Sequence, residues 1–172
     1  MGEPFRLRAS LAALLLMAAL APAQQPAQPA AVFATVLGEL KQRTQIAILL
    51  PAHLPPLLGR AVFASAEGTA TTYKIRLESE PDCNQAEVCF VGVLKAQKGG
   101  AFSFPDAVQI DKVVQGRFQP AVCSGTCAPP AIEWKLNGVL YTVQLNLKAR
   151  SDREQRAALL QLAESATRSG AR

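Results

Sequence analysis

Four cysteines are the residues of this chain whose type and spacing most directly suggest chemistry. They stand at Cys83, Cys89, Cys123 and Cys127, as two short-range pairs. An even number of cysteines in a chain that leaves the cytoplasm is typical of disulfides, and three connectivities are possible. We favour Cys83–Cys89 and Cys123–Cys127, because each pair brackets residues typical of turns. A ring this short stabilises a fold by roughly 2 kcal/mol, so the bridges would mainly brace loops.

The same cysteines could also bind zinc or form a redox pair, but their spacing argues against both. Zinc-binding cysteines are usually two to four residues apart, and five residues separate Cys83 from Cys89. Cys123 and Cys127 lack the two-residue spacing of a redox motif. Pro129 and Pro130 also exclude the immediate helix that lowers a thiol pKa in such motifs. We therefore predict no metal ligand and no cofactor.

The other candidate catalytic side chains form no recognisable constellation. His53 is the only histidine and stands among prolines, outside any metal-ligand spacing. The carboxylates of Asp82, Asp106 and Asp111 could supply an acid–base pair, but turn-forming and surface roles explain each of them. No serine lies in a G-x-S-x-G motif, and no glycine-rich phosphate loop is present. We expect a protein that is not an enzyme.

The first 23 residues have the pattern of a secretory signal peptide. Arg6 and Arg8 precede an apolar run over residues 11–20, and small residues follow at 21–23. The run is too short to span roughly 30 Å of hydrocarbon. We predict cleavage after Ala23, a secreted or periplasmic location, and no stable membrane insertion afterwards. Residues 24–30, rich in proline, glutamine and alanine, read as a disordered linker.

Charge and composition narrow the choice of partner. The formal net charge of +5 is spread along the chain, and no Lys/Arg cluster interleaves with aromatic residues. We therefore predict no binding of nucleic acid. Weak attraction to anionic surfaces remains compatible with this charge and is unspecific. An unknown protein or an apolar ligand is the expected partner.

Residues 116–147 contain the hairpin around which the rest of the chain is organised. Ile132, Trp134 and Leu136 alternate with two charged residues, which predicts a strand with one buried face. Asn137 and Gly138 follow, and both tolerate the positive φ of a two-residue hairpin turn. A second alternating run occupies residues 139–147. We expect Trp134 and Tyr141, on opposite strands of this hairpin, to serve the core.

The remaining elements predict a single α+β domain over residues 31–172. Apolar residues at helical spacing predict a helix over residues 32–40. Ser151 and Glu154 form a capping box that begins a second helix, whose buried stripe runs from Leu159 to Ala166 and which stops near Gly170. Further strands are expected within residues 61–65, 71–77, 88–94, 107–114 and 116–119. The predicted fold is a mostly antiparallel sheet flanked by an N-terminal and a C-terminal helix.

Several short motifs resemble a family of uncharacterised exported bacterial proteins. They are LPAHLPP from residue 50, YKIRL from residue 73, D-C-x5-C at 82–89, C-x-G-x-C at 123–127, I-x-W-x3-G-x2-Y at 132–141 and L-A-E-S-A-x3-G at 162–170. The resemblance covers residues 50–170 and implies export without implying an activity. The C-terminal part is also similar to small exported sheet-and-helix domains, some of which resemble lipoprotein carriers.

These patterns together predict an exported, disulfide-bonded binding or structural module. The braced loop at residues 123–130 is where a binding surface would first be sought. The alternative is a carrier that holds an apolar ligand between its sheet and a helix. A carrier would need a continuous apolar cavity of several hundred cubic ångströms under that helix.

Overall fold

A computed structural model describes residues 28, 30–55, 61–84, 86–124, 126–148 and 151–172. Nine strands lie in this part of the chain: β1 (Phe63–Thr69), β2 (Thr72–Glu78), β3 (Phe90–Lys98), β4 (Asp106–Gln109), β5 (Gln115–Gln119), β6 (Val122–Ser124), β7 (Thr126–Ala128), β8 (Ala131–Leu136) and β9 (Val139–Leu145). Seven of them form one sheet in the order β1-β2-β3-β9-β8-β5-β4, and β6 pairs with β7 alone. Every pairing is antiparallel.

Two helices flank the sheet, which confirms the predicted α+β architecture. A 3-10 turn at Ala31–Phe33 leads into helix α1 (Ala34–Arg43), and helix α2 (Asp152–Ser169) closes the chain. The Ser151 hydroxyl accepts the Glu154 amide N–H at 3.3 Å, as a helix cap requires. Gly170 ends the helix with a φ of 73°. The described helices include none that is long and apolar enough to cross a membrane.

The β8–β9 hairpin forms as predicted, with its turn at Asn137 and Gly138. These two residues have φ values of 50° and 75°, the conformation of a type I′ turn. Trp134 stands directly opposite Tyr141, and their rings stack with centroids 5.6 Å apart. Both side chains are buried in the core, as expected.

One face of the main sheet is covered, and its side chains form the core. Helix α1 packs against β1, and helix α2 packs against β8. Between the helices, residues 46–51 cross the same face as a mostly buried segment without regular secondary structure. The Tyr73 hydroxyl accepts the Leu49 N–H and donates to the Leu49 carbonyl, both at 3.3 Å, while the Tyr141 hydroxyl donates to the Ala47 carbonyl at 3.0 Å.

The structure changes the bounds of three predicted strands and leaves some predictions outside the described residues. The strand predicted within 61–65 is Phe63–Thr69, and the one predicted within 107–114 is only Asp106–Gln109, because the chain turns back between Ile110 and Val114. Residues 87–89 form a 3-10 turn with Val88 85% exposed, so β3 begins at Phe90 instead of Val88. The turn is held by the Cys83–Cys89 bridge, which redirects an apolar run that alone reads as a strand. The predicted signal peptide, and all of the linker except residues 28 and 30, lie outside the described residues.

Candidate functional site on the open sheet face

The four cysteines form two local disulfides, in the pairing favoured by the sequence. Cys83 and Cys89 have Cα atoms 6.1 Å apart, and both side chains are buried within the β2–β3 connection. Cys123 and Cys127 have Cα atoms 4.1 Å apart and are exposed. Two disulfides are compatible with an oxidising, exported location.

The second disulfide joins the small β6–β7 hairpin, which occupies the loop singled out above. Cys123 and Cys127 are directly opposite each other in its register. Every described residue of the two strands is exposed, including Val122 at 43%. The bridge therefore braces a surface hairpin that contributes little to the core.

The candidate metal and catalytic residues are distributed over several segments, and of the candidate catalytic residues only Asp82 shares the β2–β3 connection with Cys83 and Cys89. Among the described residues, the Glu80 carboxylate lies close to the sulfur atoms of Cys83 and Cys89. These cysteines are bonded to each other, so they offer no thiolate to a metal ion. His53 is exposed in the segment after residue 51. Asp82 lies in the β2–β3 connection, Asp106 begins β4 and Asp111 is in the β4–β5 turn.

The uncovered face of the main sheet carries a row of seven cross-strand neighbours, one on each strand, and all but Ala107 are polar. The cross-strand register places Lys74 of β2 directly opposite Lys95 of β3. The row then continues across β9, β8, β5 and β4, and Glu67 of β1 lies at its other end. Its members in sheet order are Glu67, Lys74, Lys95, Thr142, Glu133, Arg117 and Ala107.

The acidic groups at the β1–β2 end of this face are paired with cations. The Lys74 ammonium lies 2.9 Å from the Glu67 carboxylate, and this hydrogen-bonded contact holds the pKa of Glu67 below its ordinary value. Arg76 contacts Glu78 at 2.9 Å, and its guanidinium lies 5.1 Å from the centroid of the Phe90 ring. Lys95 is exposed and lies beside these pairs.

Residues 99–105 fold back over the other half of the face and cover Glu133. Glu133 is 1% exposed, and its carboxylate accepts hydrogen bonds from the Phe104 N–H at 2.8 Å, the Ser103 hydroxyl at 3.1 Å and the Ser103 N–H. The Phe102 ring lies against two cations, 5.8 Å from Arg117 and 5.0 Å from Lys135. Beyond this loop, Glu67 and Lys95 of the same row are exposed on β1 and β3.

No family model matches the chain, and no curated protein or solved structure matches it. The resemblance to exported bacterial proteins therefore stays a prediction based on the motifs.

Two open depressions lie at the β1–β3 part of the sheet, and both are lined by charged residues. The first runs along the sheet edge and is lined by Ser65, Ala66, Glu67, Lys74 and Arg76. The second lies at the end of the strands and is lined by Arg43, Glu67, Gly68, Thr69, Thr72, Tyr73, Lys74, Lys95, Ala96 and Gln97. Arg43 contacts Glu39 at 2.6 Å, one helical turn away. We call the surface formed by Arg43, Lys74, Arg76 and Lys95 the basic face.

The basic face was not predicted from the sequence. Alternation within residues 71–77 indicates that Lys74 points away from the core. The position of Lys95 opposite Lys74 depends on the register between β2 and β3, and the alternation within each strand does not define that register. Glu133 was expected on the polar face and lies there, but it is buried because the chain returns over it.

Proposed function

We propose that this protein is an exported binding module, secreted or periplasmic, whose basic face binds anionic groups of a partner. The observation that carries the proposal is the direct opposition of Lys74 and Lys95 on the open face. Like charges directly opposite each other destabilise a sheet. A carboxylate, sulfate or phosphate bound between the two ammonium groups would offset that repulsion. The proposal includes no catalytic step.

The arrangement of the neighbouring charges supports an anionic partner. Lys74 is already paired with Glu67, so a bound anion would share this lysine. Lys95 is exposed on β3, on the face of the sheet that neither helix covers. Thr72 and Gln97, which are also opposite each other across β2 and β3, add polar side chains beside the two lysines.

Packing on the covered face favours this proposal over an apolar-ligand carrier. A carrier needs space between the sheet and α2. Leu159 of α2 and Ile132 and Trp134 of β8 are at most 1% exposed and belong to one continuous cluster of buried residues. The two depressions described above, at the β1–β3 part of the sheet, are lined by charged side chains instead.

The test measures binding of a sulfated polysaccharide to the purified, disulfide-bonded chain by titration calorimetry. Heparin fragments serve as the polyanionic probe, and dextran serves as the uncharged comparison. We expect heparin binding that weakens with added salt, since counterion release and screening both depend on salt. Lys95→Gln should weaken binding by about tenfold, equivalent to about 1.4 kcal/mol.

Lys112→Gln is the matched control because it removes the same charge from an exposed position in the β4–β5 turn. We expect its affinity to stay close to that of the wild-type chain. Equal losses for Lys95→Gln and Lys112→Gln would mean that heparin senses only the net charge. That result, or a wild-type chain that binds heparin no better than dextran, would refute the basic face as a binding site.

A further inference from the structure

Strand β1 is an edge of the main sheet with an unpaired side. The closing pair of the β1–β2 hairpin is Thr69 and Thr72, so the ladder alternation directs the backbone groups of Ala64, Ala66 and Gly68 away from β2. The Ala70 carbonyl, next in this alternation, accepts the Gln45 N–H at 3.1 Å. Within the described residues, the backbone N–H and C=O groups of Ala64, Ala66 and Gly68 have no backbone hydrogen-bond partner.

The opposite edge of the sheet, strand β4, is protected from pairing with another strand, and β1 differs from it. Strand β4 has four residues, and the Arg156 guanidinium of α2 donates to its Ala107 carbonyl at 3.4 Å. Strand β1 has seven residues in unbroken register with β2. Natural edge strands are usually blocked by charged residues, proline, a bulge or short length. Strand β1 has no lysine, proline or bulge, and its one charged residue, Glu67, is paired with Lys74.

We infer that β1 pairs antiparallel with β1 of a second copy of this chain, about a two-fold axis at Ala66. In this register Ala66 meets Ala66 of the second copy, and Ala64 meets its Gly68. These small residues lie on the helix-covered side, where they leave room for close approach of the two sheets. Three outward positions on each strand then exchange roughly six N–H···O bonds.

Charge complementarity on the open side favours a second copy as the occupant. Ser65 of one chain is placed directly opposite Glu67 of the other, so no like charges face each other across the seam. Arg76 stands behind Ser65 in the same row, and Lys74 stands behind Glu67. In this arrangement the Glu67 carboxylate of each copy lies between Lys74 of its own chain and the Ser65–Arg76 pair of the second copy. Such a self-complementary contact closes with two-fold symmetry and does not propagate into a fibre.

Sedimentation velocity of the purified, disulfide-bonded chain tests this inference across a concentration series. At the highest concentrations, we expect the wild-type chain to sediment as a species with twice the mass of the monomer. Ala66→Pro removes an outward N–H while leaving the β1–β2 ladder bonds in place, as proline on an edge strand allows. This variant should sediment as a monomer with an unchanged far-UV circular dichroism spectrum.

Ser65→Glu provides a second test that does not depend on how proline is tolerated. It places two carboxylates directly opposite each other on both sides of the two-fold axis, and we expect a loss of at least tenfold in dimer affinity. Ser124→Glu adds the same charge to the exposed β6–β7 hairpin and should leave dimerisation unchanged. A monomeric wild-type chain, or a Ser65→Glu variant that dimerises like wild type, would overturn the inference. Neither result bears on heparin binding, which needs only one basic face.

Discussion

Glu133 is the residue at which the structure departs most clearly from the simple alternation of its strand. Burial of a carboxylate is costly unless hydrogen bonds satisfy it. Here the Ser103 and Phe104 amides and the Ser103 hydroxyl donate to it. The same contacts attach residues 99–105 to the open face. Glu133 therefore determines which half of that face stays exposed.

We predict that Glu133→Ala lowers the free energy of unfolding by about 2–3 kcal/mol. The substitution leaves two partly buried amide N–H groups without their acceptor, and an unsatisfied donor costs about 1–3 kcal/mol when it is fully buried and less where water replaces the acceptor. Glu133→Gln keeps one acceptor oxygen and should lose less. Urea denaturation followed by the fluorescence of the single tryptophan measures both variants.

Glu67→Gln provides the comparison, because it removes a carboxylate from the exposed end of the same row. Its ion pair with Lys74 is solvent-screened, so we expect no measurable change in the urea midpoint. If Glu133→Ala proved as harmless as Glu67→Gln, the loop would not depend on this carboxylate for its position.

At the scale of elements, Gly92 shows how closely β3 and β9 approach each other. A Cβ at this position would lie 2.7 Å from the Gln144 carbonyl oxygen and would overlap the Leu145 side chain. The β2–β3 register also shifts beside Gly92, between Leu77 and Glu78. A register shift and a close backbone approach therefore coincide at this glycine.

We predict opposite effects for two glycine-to-alanine substitutions. Gly92→Ala should destabilise the fold by about 1–3 kcal/mol, because the added methyl group must displace backbone atoms of β9. Gly38→Ala should stabilise it by about 0.5–1 kcal/mol, since the glycine lies inside α1 with open space around its Cα. Thermal unfolding by circular dichroism compares the two variants directly. A Gly92→Ala midpoint equal to that of the wild type would mean that β3 and β9 separate readily.

The elements that could be predicted are those with local signals. The β8–β9 turn follows from Asn137 and Gly138, and α2 follows from its cap and apolar stripe. What could not be predicted depends on contacts between distant segments. The run at residues 46–50 resembles a strand, yet it crosses the sheet face without joining a ladder. The pairing of Lys74 with Lys95 likewise requires the register between strands.

At the scale of the whole molecule, the two tyrosines of the chain join its layers. Both hydroxyls reach from the sheet to the segment that crosses it, Tyr73 to Leu49 and Tyr141 to Ala47. Burial of these phenols disfavours their ionised forms. It raises the pKa of Tyr73 well above the ordinary value of 10.0, and it raises the pKa of Tyr141 to about 12.

We predict that the free energy of unfolding falls as the pH rises above 10.0, the ordinary pKa of both tyrosines. Above this pH the unfolded chain releases phenolic protons that the folded chain retains, so the unfolded state binds fewer protons and gains stability. The contribution of Tyr141 is complete below pH 10 and is lost as the pH rises through about 12. Each retained proton changes stability by about 1.4 kcal/mol per pH unit. Tyr141→Phe should reduce this slope by about half.

Tyrosinate absorbance at alkaline pH, recorded together with the circular dichroism of the sheet, tests this coupling. We expect no tyrosinate absorbance near pH 10 while the sheet is intact, because burial raises the pKa of Tyr73 well above that value and raises the pKa of Tyr141 to about 12. If tyrosinate formed with an ordinary pKa while the sheet remained intact, the segment at residues 46–50 would be separating from the sheet without unfolding. The layers would then be held together by the helices and not by the two hydroxyl contacts.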